Sequence, residues 1–92
     1  MLYGDNNMNY DLIKIGKRIK EERKALQLNQ SDFLNKLGYS DNHVRQYVGS
    51  WEQGKVMPSL DIMVEMCKLF QCELGYLLCE YDCKTRAATD IQ

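Results

Sequence analysis

The residues of this chain with the most reactive side chains are Cys67, Cys72, Cys79 and Cys83, spaced C-x4-C-x6-C-x3-C in its last third. A zinc ion needs four convergent ligands, typically in two close pairs. None of these spacings is a C-x2-C pair, and the one histidine, His43, lies far upstream, so no metal is expected. Cys67 and Cys72 read as small core residues in a reducing compartment, whereas Cys79 and Cys83 read as exposed and open to weak redox chemistry. Ser40, Asp41 and His43 are the types of a nucleophile, an orienter and a base. Neighbours in one turn cannot form that relay without a pocket to hold them. The sequence contains no glycine-rich phosphate loop, so neither an enzyme nor a cofactor is expected, and no small-molecule substrate is evident.

The elements that would position any working residue are helices. Leu12, Ile15, Gly16, Ile19 and Leu26 share one stripe of a first helix over about Asp11 to Leu26, with lysines and arginines on its other faces. Asn29 is placed to cap a second helix, about Gln30 to Leu37, whose Phe33, Leu34 and Leu37 share a face and which stops at Gly38. Tyr39 to His43 is a polar connector. A third helix runs from there to about Glu52, with Val44, Val48 and Trp51 on its packed side and Arg45, Gln46, Tyr47, Gly49 and Ser50 on the others. Pro58 and Ser59 launch a fourth helix, about Leu60 to Phe70, with Leu60, Met63, Val64, Cys67 and Phe70 facing inward. A short fifth helix, about Glu73 to Leu78, carries Leu74, Leu77 and Leu78. The expected organisation is a flexible stretch over 1–10, one domain over 11–78 and a loosely ordered tail over 79–92.

Ninety-two residues allow one small domain. A single proline and six glycines give few of the turn signals that punctuate short strands, so the expected fold class is all-α. No apolar run approaches the roughly 18 residues needed to span a bilayer, and the polar start lacks the blocks of a signal peptide. A cytoplasmic location and no membrane partner follow as expectations. The net charge is −1, but residues 14–58 carry nine Lys and Arg against five Asp and Glu, while 59–92 carry three against six. A basic segment over the two-helix motif, with acidic ends, suits a face that meets nucleic acid and a rear that does not.

Leu28 to Gly38, together with Trp51-Glu52-Gln53-Gly54-Lys55 and Pro58-Ser59-Leu60-Asp61, resembles the phage-repressor (Cro-like, Xre-type) helix-turn-helix family over about Leu12 to Leu78. The resemblance implies a compact five-helix lambda-repressor-like domain with the helix-turn-helix at helices 2 and 3, binding double-stranded operator DNA as a two-fold homodimer, with helix 3 in the major groove. It implies a transcriptional regulator, a repressor by type. Gln30 falls where the family sets a glutamine against a DNA phosphate, at a helix end that already favours anions. Lys55 matches the loop that meets phosphate across the groove, and Lys36 joins this phosphate-contacting set. Arg23 and Glu52 fall where the family has a structural ion pair. With Val48 and Trp51 in the family's buried positions, Arg45, Gln46 and Tyr47 become the first exposed residues of the reading helix, with Ser50 a turn later. Arginine pairs with guanine and glutamine with adenine; Tyr47 either touches a thymine methyl or packs against helix 2.

Two departures stand out. Thirteen residues separate Gly38 from Glu52 where the family has about nine, and the extra, roughly four, is close to one helical turn. The insertion either lengthens helix 3 or enlarges the turn around Tyr39 to His43. Leu34 stands where the family prefers alanine, so a slightly opened helix crossing is expected. A different use of the same fold, an antitoxin-like interaction module gripping a partner through Leu74, Tyr76 and Leu77, is the alternative reading.

Overall fold

The computed structural model describes residues 10–40 and 43–82, with the backbone alone at Arg45. Within them the chain forms five helices and no strand: α1, Leu12–Ala25; α2, Gln30–Lys36; α3, made of a π-helical part, Arg45–Gly49, running directly into Ser50–Glu52; α4, Leu60–Phe70; and α5, Leu74–Leu77. The all-α helix-turn-helix architecture expected from the sequence is the one formed. Residues 1–9 and 83–92, on which the expectations of a flexible start and most of the loose tail fall, lie outside the described residues.

Polar side chains start three of the helices. Asp11 accepts the Lys14 N–H, Asn29 accepts that of Asp32 at 2.7 Å, and Ser59 accepts that of Ile62; each satisfies a backbone donor that a helix start leaves unpaired. Gly38 closes α2 in the left-handed conformation, with φ of 97°.

The core draws on every helix: Ile15 and Ile19 of α1, Phe33 and Leu34 of α2, Val48 and Trp51 of α3, Met63, Met66 and Phe70 of α4, and Leu77 of α5. The Phe33 and Phe70 rings stack with centroids 5.6 Å apart. Two helical faces are turned from where the apolar pattern put them. On α4 the buried stripe is Met63, Met66 and Phe70, while Leu60 and Val64 are 64% and 41% exposed. The choice of phase rested on counting apolar residues, and Met66 completes a tighter stripe than Leu60 does. On α1, Leu26 lies past the helix end and is exposed, and the buried position of the last turn is taken by Arg23 instead.

One contact sets how closely α1 crosses the end of α3. A Cβ added at Gly16 would run into the carbonyl oxygens of Trp51 and Glu52, so the two backbones touch with no side chain between them.

The rear of the domain is closed by polar contacts onto α1. The Arg18 guanidinium lies 4.2 Å from the centre of the Tyr76 ring, donates to the Tyr76 and Tyr81 carbonyls and pairs with Asp82 at 2.9 Å. The Tyr76 hydroxyl donates to Glu22 at 2.6 Å and that of Tyr81 to Glu73 at 2.9 Å. Residues 79–82 are thereby held against the helices. Tyr76 and Leu77 are 8% and 0% exposed. This corrects the expectation that they offer an outward apolar grip, because a helix of only four residues spends its apolar side chains on the chain's own core.

Candidate nucleic-acid interface

Helical backbone begins at residue 44 and runs to Glu52, while Tyr39, Ser40 and His43 lie outside it. His43 is exposed, and its carbonyl accepts the N–H groups of Gln46 and Tyr47, which starts α3 from the backbone. The first five residues of α3 are π-helical, a wider winding that accommodates one more residue than an α-helical turn and recurs at functional sites.

Val48 and Trp51 are 0% and 4% exposed, anchoring α3 in the register the family pattern implied. Opposite them Gln46 is exposed. Ser50 is half-buried, and its carbonyl accepts the N–H of Lys55 at 2.9 Å. Gly49, read from the sequence as part of the outer face, is buried. The Arg45 side chain lies outside what is described, and its backbone lies in the first turn of α3. Tyr47 is 43% exposed and its ring tilts against Trp51 with centroids 6.5 Å apart. It lines, with Leu34, Tyr39, Trp51 and Ile62, a cleft of about 170 Å³. That cleft sits beside Leu34, the bulky residue at the helix crossing.

Behind α3, three elements meet on one carboxylate. Glu52 accepts from Arg23 Nε at 2.6 Å and Nη2 at 3.2 Å, and from the Gln30 amide at 3.1 Å. Arg23 also donates to the Leu28 carbonyl at 2.7 Å. The Arg23 and Glu52 side chains are only 8% and 4% exposed, and a buried pair of charges is tolerable when its remaining hydrogen bonds are met, as here. The network ties α1, the start of α2 and the end of α3 into one piece. The Gln30 arm was not expected: the sequence places Gln30 at a helix start but does not say that its amide turns inward to Glu52.

The positively charged residues are less concentrated on this side than the sequence suggested. Arg23 is in the network and Arg18 is at the rear, where with Lys14, Lys17, Glu21 and Cys79 it lines a shallow depression. Lys36, at the end of α2, and Lys55, after α3, are exposed.

Two helices in this relation, the second anchored by Val48 and Trp51 and followed by a glycine turn at Gly54, define a helix-turn-helix domain. The family model described as helix-turn-helix matches residues 19–77, well over half of the chain, and the protein belongs to this Xre- and Cro-like family of DNA-binding regulators. The family is a regulatory one and is not known for catalysis. Searches of curated proteins and of solved structures find no match. Among the described residues, no helix is long and apolar enough to cross a membrane.

Proposed function

We propose that this protein is a sequence-specific repressor that occupies operator DNA in the cytoplasm as a two-fold dimer, with α3 in the major groove. The observation that carries the reading is Gln46. It is an exposed amide on the first turn of α3, a helix held from behind by two buried apolar anchors and by the Arg23, Gln30 and Glu52 network. A glutamine in that position pairs bidentately with adenine, and Arg45, by its place beside it, with guanine. Ser50 supplies a hydroxyl one turn on. Tyr47 lies at the edge of this set, turned toward Trp51, where its ring offers apolar contact to a thymine methyl. Lys55 and Lys36 meet phosphates on either side. Gln30 meets phosphate through the end of α2, its side chain braced by Glu52.

Selecting bound duplexes from a random pool tests this. Inverted half-sites are expected, and Gln46→Ala relaxes preference at one base pair per half-site, a loss of about 1–3 kcal/mol of discrimination. If the unmodified protein retains all duplexes alike and Gln46→Ala changes nothing, the assignment of α3 as the reader is wrong.

A further inference from the structure

We infer that Cys67 and Cys72 form a dithiol site that reacts with small disulfides, such as oxidised glutathione, and closes into an intrachain disulfide across the junction of α4 and α5. The backbone brings the two residues together. Gln71 ends α4 in the left-handed conformation, with φ of 56°, and the Cys72 N–H donates to the Cys67 carbonyl at 3.0 Å. In this helix ending a bond from the sixth residue back to the first commonly brings those two side chains together, a contact usually made by apolar groups. Here both are thiols; burial raises the Cys67 thiol above its ordinary value, and the neighbouring Cys72 thiol partly offsets that. A direct backbone bond also keeps the two Cα atoms close to the roughly 4.4–6.8 Å that a disulfide spans. Both residues are half-buried, so a small oxidant reaches them. Cys79 is engaged elsewhere, its thiol pointing to the Leu77 carbonyl.

The chemistry balances without a metal or a cofactor. One thiol loses its proton to solvent, and the thiolate attacks a sulfur of the small disulfide, whose S–S bond breaks and releases one thiolate. The neighbouring protein thiol, deprotonated in turn, attacks the mixed disulfide and releases the second. Two protein S–H bonds are replaced by one S–S bond, and the two electrons leave on the reduced small thiols.

The closed bond clasps α5, whose Leu77 is fully buried and whose Tyr76 holds Glu22 of α1, and it leaves α3 untouched. The full chain is incubated with oxidised glutathione, quenched by alkylation, and followed by intact mass and peptide mapping. The expected product is lighter than the reduced chain by about 2 Da, carries a Cys67 to Cys72 linkage, and has lost two of its four titratable thiols. Its thermal midpoint rises by roughly 10 °C, the effect of closing a loop of about six residues in a domain of this size. Cys79→Ser reacts like the unmodified chain, whereas Cys67→Ser and Cys72→Ser do not lose the 2 Da. Mapping on the unmodified chain decides the matter even where a serine variant folds poorly. A lasting glutathione adduct on either residue, a linkage to Cys79 or Cys83, or closure seen only in denaturant would each overturn the assignment.

Discussion

At the scale of single residues, the fold depends most on Glu52. Its carboxylate is removed from water and offset by the Arg23 guanidinium and the Gln30 amide, so deleting it leaves a buried cation without its counter-ion. Glu52→Ala is expected to cost about 3–5 kcal/mol of stability in urea denaturation, far above the 0–1 kcal/mol of an exposed pair. A loss under about 1 kcal/mol would mean that the pair is solvated. Tyr76 provides a second test. Burial first, and then the hydrogen bond to Glu22, push its hydroxyl up from 10 to about 12. A phenol that holds its proton more tightly when folded stabilises the protein fully below pH 10 and loses that contribution as pH rises from 10 to about 12. Denaturation in that window should become steeply pH-dependent, and Tyr76→Phe should flatten the slope. The pairing of Arg23 with Glu52 was legible in the sequence as a family pattern. Gln30's inward amide was not, because residue type and helix position do not specify which way a flexible side chain turns. Leu60 and Val64 were misassigned for a related reason: an apolar-rich helix offers two adjacent phases, and only the neighbouring elements choose between them.

At the scale of elements, most helices could be located in advance because their caps are local chemistry. Asn29 and Ser59 act within three residues of themselves, and α4 has the bounds its pattern implied. The winding of α3 was not legible, since nothing in Arg45 to Gly49 distinguishes π from α spacing without the packing around it. The crossing of α1 over α3 sets two effects of opposite sign against each other. Glycine inside a helix is worse than alanine by about 1 kcal/mol, so propensity alone makes Gly16→Ala stabilising. The Trp51 and Glu52 carbonyls already occupy the space, with the second 2.8 Å from where the new carbon would stand, and backbone gives way less readily than a side chain. The steric term wins: Gly16→Ala should destabilise by about 1–3 kcal/mol. Chemical denaturation that found the variant more stable would place α1 farther from α3.

At the scale of the whole molecule, the sign and the amount of charge tell different stories. Two of the basic residues that made residues 14–58 look like a nucleic-acid surface, Arg18 and Arg23, are spent on internal contacts. On the proposed reading a modest electrostatic footprint follows, carried chiefly by the exposed Lys36 and Lys55. For a dimer in which these two lysines of each subunit neutralise phosphates, log K should fall against log salt with a slope of about −4. Lys55→Ala should reduce that slope by about 1 for each subunit while weakening all sequences alike, as anisotropy titrations at several salt concentrations would show. A slope unaffected by Lys55→Ala would remove the loop after α3 from the interface. The π-helical start of α3 has a different kind of consequence. Because the helix holds one residue more in that turn than α spacing allows, dropping a single residue between Arg45 and Gly49 would restore ordinary winding and leave the residues before it facing as they did, with Trp51 still seated, whereas the same deletion from an α-helical turn would rotate them by about 100°. Chain length can therefore vary by one residue at this point without turning the outer face of α3, a tolerance that the α-helical elements of the domain lack.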